Sequence, residues 1–247
     1  MPAYYWIEFY VNPKEMRSDK VVEGTIKGLL DSGCNYKEVE IFTIPRGKQF
    51  FTTERNHVDL TEAKELAIKD LDCWVTGSHG AQRYPAIRLV FEYDFKFDEP
   101  VEEEVKEVTV DFWYSDFWDF TDRKIGHKIN IHMHTWEEYV LMYGDKETHR
   151  INMAKILDIM KKVYENTEPY FGWADGEGDS WDKSFELLLN GELPVGNEFV
   201  FVGKKIIDKL DMEKLKRSGN FWESLSDGGI LIDSDPKSCG HLKIIRL

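Results

Sequence analysis

The chain has 247 residues, of which 42% are hydrophobic and 32% charged, a composition typical of a globular protein. Its 46 acidic and 32 basic residues give a formal net charge of -14, which disfavours nucleic-acid binding because that task needs a basic surface. The same charge permits a basic protein partner, which an acidic surface would attract over a distance. The oligomeric state is left open by composition.

Cysteine usage and the N-terminal segment bear on the compartment. The three cysteines are odd in number and far apart, so they predict reduced thiols rather than a disulfide framework. The first residues already resemble a strand and lack the basic region of a signal peptide. No apolar run approaches the roughly 20 residues of a membrane helix. We therefore expect a cytoplasmic protein without membrane contact.

The first half of the chain predicts alternating strands and helices. They are a strand over 4–11, a helix from Ser18 to Gly33, a strand over 38–44, a helix over 61–71 introduced by Asp59, a long strand over 87–97 and a strand over 108–114. In the long strand, apolar residues recur at every second position, which is typical of a half-buried strand. We expect the last two strands to pair as an antiparallel hairpin with a long loop.

The second half repeats the mixture. It predicts a strand over 128–134, a short helix capped by Thr135 with Glu138, a helix over 149–165, strands over 170–174 and 198–202, a helix over 204–216, a turn at Gly228-Gly229 and strands over 230–233 and 242–245. The predicted fold is α+β, an antiparallel-rich sheet or sheets with helices packed on one face. Residues 121–124 are the predicted junction between similar lobes over 1–120 and 121–247, unless the chain forms one continuous domain.

An acidic, glycine-containing loop follows the aromatic segment 169–174. Gly176 and Gly178 allow a tight turn, so that Asp175, Glu177 and Asp179 could converge on a cation or on basic groups of a partner. They could equally only solvate the turn. With Trp173, these three carboxylates form one candidate contact surface.

The segment 111–120 mixes aromatic and acidic residues. The strand pattern fails after residue 115, so periodicity alone does not place the later aromatic side chains in the core. Aromatic residues beside acids are typical of a contact surface for a basic partner, although a second apolar layer would use the same residues. The candidate contact residues of this segment are Trp113, Asp116, Trp118 and Asp119.

His132 and His134 project from one face of their strand, because side chains two residues apart point the same way. Together with Asp175, Glu177 and Asp179 they would suit a divalent metal and a metal-dependent hydrolase. The simpler alternative is a polar sheet face shared with Lys128 and Asn130. No cofactor is implied otherwise. The chain lacks the usual phosphate-binding, dinucleotide-binding, hydrolase and metalloprotease motifs, which favours a binding protein over an enzyme.

Residues 166–235 resemble a family of small immunity proteins from bacterial polymorphic-toxin systems. The resemblance rests on the order of five segments, which are 169–175, 191–195, 197–203, 207–210 and 225–232. The chain departs from the family pattern at Val202, where an aromatic residue is expected. The resemblance implies a non-enzymatic, acidic inhibitor of a toxin. A binding protein for a basic partner is thus the first hypothesis, and the metal-dependent hydrolase is its alternative.

Overall fold

A computed structural model describes residues 4–43, 52–77, 86–118, 124–136, 140–141, 145–176, 190–192, 199–217 and 222–233. Of the sequence predictions, those for Asp119, Glu177, Asp179 and the strand over 242–245 lie outside these residues. For Asp116, Trp118 and Asp175, the structure describes the position of the backbone only.

Ten strands form one antiparallel sheet in the order β3-β2-β4-β5-β6-β1-β7-β8-β10-β9. The strands are β1 (Tyr4–Val11), β2 (Asn35–Thr43), β3 (Thr52–Asn56), β4 (Ile87–Glu92), β5 (Glu107–Trp118), β6 (Lys124–Trp136), β7 (Phe171–Gly176), β8 (Phe199–Val202), β9 (Trp222–Ser224) and β10 (Ile230–Asp233). Every described pair is antiparallel. The predicted α+β class and the antiparallel pairing of β4 with β5 are confirmed.

In the part of the chain that the structure describes, three long helices and two short ones accompany the sheet. They are α1 (Ser18–Asp31), α2 (Leu60–Val75), α3 (Lys146–Thr167), α4 (Lys204–Ile207) and α5 (Met212–Arg217), and a 3-10 helix covers Glu103–Lys106. The Asp59 carboxylate accepts a hydrogen bond from the Glu62 backbone N–H and caps α2. The Asp145 carboxylate accepts one from the Thr148 backbone N–H and caps α3. In the described ranges, no helix is long and apolar enough to cross a lipid bilayer.

The apolar side chains form two cores, one on each face of the sheet. The larger core packs the long helices against one face, and α1 lies so close to α3 that a Cβ at Gly28 would stand 2.6 Å from the Val163 Cα. The second core lies on the opposite face of β7, β8 and β10, where Ile206 and Leu215 from the short helices cover it. Three long helices therefore share one face, as predicted, while α4 and α5 lie on the other.

The predicted long strand over 87–97 is wrong in its second half, because β4 ends at Glu92. Tyr93 and Phe95 are still buried, which explains the continuing alternation. Beyond them the backbone turns to α3, where the Asn152 side chain accepts from the Lys96 N–H and donates to the Lys96 carbonyl. Alternation of apolar and polar side chains indicates which positions are buried. In this segment the alternation continues beyond the last residue of β4 that pairs with β5.

Other boundaries also differ from the sequence prediction. The strand predicted over 108–114 continues to Trp118. Thr135 is a residue of β6, where its hydroxyl donates to the Glu107 carbonyl rather than capping a helix. The helix predicted over 204–216 is two helices, because a turn closes after Ile207 and Asp211 accepts from the Lys214 N–H to start the second one.

The sheet is continuous across the predicted lobe junction. β5 and β6 pair with each other, and β1 lies between β6 and β7. The main core draws side chains from both sides of residue 120. The first strand of the chain is thus central, flanked by two strands that come more than 110 residues later.

Candidate functional site

A row of ionisable residues crosses six neighbouring strands on the sheet face that lies away from the long helices. We call it the charge row, and its members, each opposite the next, are Arg55, Glu40, Arg88, Asp111, His132 and Glu8. Opposite residues in antiparallel strands share a face and lie close together. Because the charges mostly alternate in sign, each strand in the row meets an opposite charge on its neighbour.

Asp111 is the centre of the charge row. Its carboxylate accepts from Arg88 Nη2 and Nε at 3.0 and 3.1 Å, from His132 Nδ1 at 3.0 Å and from the Trp113 indole N–H. Burial raises the pKa of Asp111, but the coulombic and hydrogen-bonding effects of His132, with Arg88, hold it well below the ordinary value of 3.8. Asp111 is therefore a carboxylate, and it orients both cations and one indole ring.

His132 is held on three sides. Its ring stacks on Trp6 with centroids 4.8 Å apart and planes 14° apart, and Trp113 approaches its edge at 6.1 Å. Nε2 is buried and, in the described structure, makes no hydrogen bond, since the nearest carboxylate oxygen, Glu8 Oε1, is 3.9 Å away. The imidazole thus lies between two carboxylates and bonds to one.

The two histidines have opposite electrostatic properties. Burial lowers the pKa of His132, but Asp111 and Glu8 outweigh that effect and raise it above 6.5, which favours the imidazolium. Burial, with the nearby cations Arg88 and His132, lowers the pKa of His134 to about 3. His134 is therefore neutral and exchanges a hydrogen bond with Thr109, whose Oγ1 lies 2.9 Å from Nε2. One strand face holds a charged and an uncharged imidazole two residues apart.

Arg55 ends the charge row at the edge strand β3. Its guanidinium lies 2.9 Å from Glu40 Oε1 and 3.0 Å from oxygens of both Glu38 and Glu107. Lys37 adds a contact of 2.8 Å to Glu107. The three carboxylates are buried, and the charges of Arg55 and Lys37 offset part of the cost of their burial.

The other end of the charge row joins the second core. Glu8 Oε2 accepts from the Tyr10 hydroxyl at 2.7 Å and from Asn130 Nδ2 at 2.9 Å, and the Trp173 indole donates to the Tyr10 oxygen at 3.0 Å. Trp173 is 1% exposed. This expected contact residue is therefore part of the second core, and we leave it out of the surface proposed below.

The β5–β6 hairpin extends beyond its neighbours and carries the other expected contact segment. In the described ranges, β4 pairs with β5 only as far as Asp111, and β1 pairs with β6 only as far as Ile129. β5 and β6 continue to pair up to Trp118 with Lys124. Four further residue pairs correspond to roughly 13 Å of strand. We call this extension, residues 115–118 with 124–128, the β5–β6 arm. The structure thus places Trp113 next to the base of the arm and Asp116 and Trp118 along it.

The histidines and Asp175 of the metal hypothesis lie near one another in the sheet but are not adjacent. Trp6 is opposite His134 on one side and opposite Asp175 on the other, so the backbones of His134 and Asp175 are roughly 10 Å apart. Among the described residues, no three His, Cys, Asp or Glu side chains are placed to share a metal ion. The metal hypothesis stays a prediction, because Glu177 and Asp179 lie outside those residues.

Sequence reasoning missed most of the charge row. The rule that side chains two residues apart point the same way correctly placed His132, Lys128 and Asn130 on one face, but it does not predict the order of the strands. Without the order, nothing in the sequence linked Glu8 to His132 or Arg88 to Asp111. The signal that was available is a charged residue at the centre of an otherwise apolar strand, such as Glu8 within residues 4–11.

Comparisons with known proteins show little overall similarity. No protein-family model and no curated protein match the chain. One similar solved structure is the Pseudomonas aeruginosa T6SS protein PA0821, with 9% sequence identity and a TM-score of 0.44. The match covers 94% of this chain and 65% of that one. The function proposed next is therefore argued from the residues of this chain.

Proposed function

We propose that the protein is an acidic, non-enzymatic binding protein of the immunity type, which blocks a basic protein partner. The observation that carries the proposal is the β5–β6 arm, which extends the aromatic and acidic segment past the described ends of both neighbouring strands. A projecting hairpin can enter a cleft of a partner without moving the rest of the sheet. Three of the predicted contact residues, Trp113, Asp116 and Trp118, are in this hairpin.

Trp113 has the properties of an interface anchor. It is half-buried, its indole N–H donates to Asp111, and its ring meets the edge of His132. A tryptophan whose orientation is already fixed loses little conformational freedom on binding, and such residues carry much of the binding energy in protein interfaces. Asp111 thus helps to fix the orientation of Trp113 in the proposed binding surface.

The net charge supports a basic partner. A charge of -14 produces a negative field that speeds association with a positively charged protein and weakens as salt is added. We propose the cytoplasm as the location of the protein, as expected for a chain with three widely spaced cysteines.

The test uses the proteins encoded by the genes adjacent to this one. Each is co-expressed with the full chain, and complexes are detected by size-exclusion chromatography and quantified by calorimetry. Replacing Trp113 with Ala should weaken the complex by about 2 kcal/mol, which is roughly thirtyfold, as expected for an anchor residue. Trp222→Ala, on the distant edge strand β9, is the matched control. An adjacent-gene complex that both variants leave unchanged would refute the role of the arm.

The acidic loop provides a second, separate test. Changing Asp175, Glu177 and Asp179 together to Asn, Gln and Asn removes three charges at constant size. If the loop contacts the partner, association should slow and lose part of its salt dependence. If it only solvates a turn, association stays the same and stability changes by no more than about 0.5 kcal/mol per site. Unchanged association would remove the loop from the contact surface and leave the proposed role of the β5–β6 arm intact.

A further inference from the structure

The end of the sheet where β1 begins and β6 ends carries three aromatic rings in contact. Tyr4 lies opposite Trp136, with ring centroids 4.7 Å apart, and the Tyr4 and Trp6 centroids are 5.6 Å apart. All three side chains are half-buried. They lie on the same face as the charge row, because Trp6 and Glu8 are two residues apart on one strand.

The 3-10 helix next to β6, the strand that carries Trp136, has two exposed carboxylates. They are those of Glu103 and Glu104. Burial raises the pKa of Tyr4, Arg88 opposes the rise, and the charges of Glu40 and Glu104 add to it. Glu104 is thus near enough to the Tyr4 ring to affect it. We call Tyr4, Trp6, Trp136, Glu103 and Glu104 the acidic–aromatic patch.

Aromatic rings on this face, including one ring of the patch, already hold cations of the same chain. Lys128 Nζ lies 4.0 Å from the centroid of the Tyr10 ring, and Arg88 Cζ lies 4.8 Å from the centroid of Phe42. The His132 ring stacks on Trp6. A cation over an aromatic face is attracted by the negative centre of the ring, and nearby carboxylates add to that attraction.

We infer that the acidic–aromatic patch binds lysine or arginine side chains of a basic protein partner. The cation would lie over Tyr4 or Trp136, with its charge facing Glu103 and Glu104. Such an arrangement combines an aromatic contact with charge complementarity, and the patch has both in one place. This inference rests on the proposed function, and it adds a second contact region at the opposite end of the strands from the β5–β6 arm.

The test uses a capped octa-arginine peptide and the full chain, with affinity measured by calorimetry at 50 and 200 mM salt. The decisive variant is Trp136→Leu, which keeps the net charge and removes a ring. It should weaken peptide binding roughly three- to thirtyfold, the range of a cation–aromatic contact. The double variant Glu103→Gln with Glu104→Gln should weaken it similarly. A matched control, Glu62→Gln with Glu65→Gln on α2, removes the same charge elsewhere and should change affinity less than twofold.

Two results would overturn the inference. Binding that is insensitive to Trp136→Leu, or weakened as much by the α2 control as by the Glu103 and Glu104 pair, would show only non-specific attraction to an acidic protein. If Trp136→Leu loses its cooperative thermal transition, Tyr4→Leu and the Glu103 and Glu104 pair decide the question. The peptide test needs no natural partner. Its failure would remove the patch and leave the proposed function standing, whereas failure of the adjacent-gene complexes would remove the proposed function even if the peptide binds.

Discussion

The sheet face away from the long helices has two halves that are stabilised by different forces. From β3 to β1, the face carries the charge row, held by ion pairs and hydrogen bonds. From β7 to β10, it carries apolar side chains that α4 and α5 cover. β1 is the boundary, since Glu8 bonds to Tyr10, and Tyr10 bonds to Trp173 of the apolar half.

The two halves of this face differ in what they contribute. The apolar half contributes stability, and the charge row contributes specificity in strand pairing. Apolar burial stabilises without direction, so the apolar half should tolerate substitutions of similar shape. Ion pairs at 3 Å require particular partners, and a slip of one residue in strand pairing would turn every charge to the opposite face. The charge row therefore selects one strand register, whereas the apolar half adds stability that depends less on the exact partner of each side chain.

The largest expected effect is in the apolar half. Replacing Trp173 with Ala removes a fully buried ring and its hydrogen bond to Tyr10, so unfolding by urea should show a loss of about 3–5 kcal/mol. Trp222, which is 37% exposed on the edge strand, is the control, and Trp222→Ala should cost about 1 kcal/mol or less. Equal losses at the two tryptophans would contradict the assignment of Trp173 to the core.

The next effect is at the centre of the charge row. Asp111→Asn should cost about 3 kcal/mol, because it leaves Arg88 and His132 partly buried without their counter-charge. Adding Arg88→Met should cost less in this variant than in the wild-type protein, and the double-mutant cycle should show coupling of at least about 1 kcal/mol. Additive losses would mean that the pair does not act as a unit.

A smaller effect distinguishes the two histidines by pH. The folded-state pKa of His132 is raised, so its contribution to stability is full below pH 6.5 and is lost as the pH rises through the folded value. The pKa of His134 is lowered to about 3, so stability falls as the pH drops from 6.5 towards 3 and the unfolded chain takes up the proton. Urea unfolding from pH 4 to 9 should show that His132→Gln removes the alkaline loss and His134→Gln reduces the acidic one. Identical pH profiles for both variants would contradict the opposite shifts.

The smallest expected effect is at the half-exposed ion pair between Lys161 and Glu223, which joins α3 to β9 at 3.0 Å. Lys161→Met should cost no more than about 1 kcal/mol, because partly exposed ion pairs contribute little. The effect should shrink in 0.5 M salt. A loss as large as that of Asp111→Asn would mean that exposure does not separate the strong pairs from the weak ones in this protein.

Much of the fold could be predicted from local patterns. Residues 4–11 and 230–233 were predicted as strands with the bounds that the structure has, and Asp59 was identified as a cap. The alternation of side chains along a strand and the capping of a helix both depend on residues near one another in the chain, so both can be recognised directly in the sequence. Errors occurred where tertiary contacts determine the structure, as at residues 94–96, whose backbone bonds to Asn152 and Lys155 of α3.

The candidate site was far less predictable. His132 was predicted as a site residue, but Asp111 was predicted only as part of a segment that mixes aromatic and acidic residues, and Arg88 only as part of a half-buried strand. Arg88 instead pairs with Asp111 with only 24% of its side chain exposed. These contacts depend on strand order, which is a property of the whole chain. The projection of the β5–β6 arm was also missed, because it follows from where β4 and β1 end.

The central position of β1 has a consequence for synthesis. At 5–20 residues per second, the ribosome needs on the order of 10 s after β1 to produce the strand partners β6 and β7. Through that interval the aromatic segment Tyr4–Val11 exists without either neighbour, and the sheet cannot close. Pairings over such sequence separations are intrinsically slow to form. The nascent chain is therefore open to chaperone capture or premature association, and slower translation of residues 12–124 should lower the yield of folded protein.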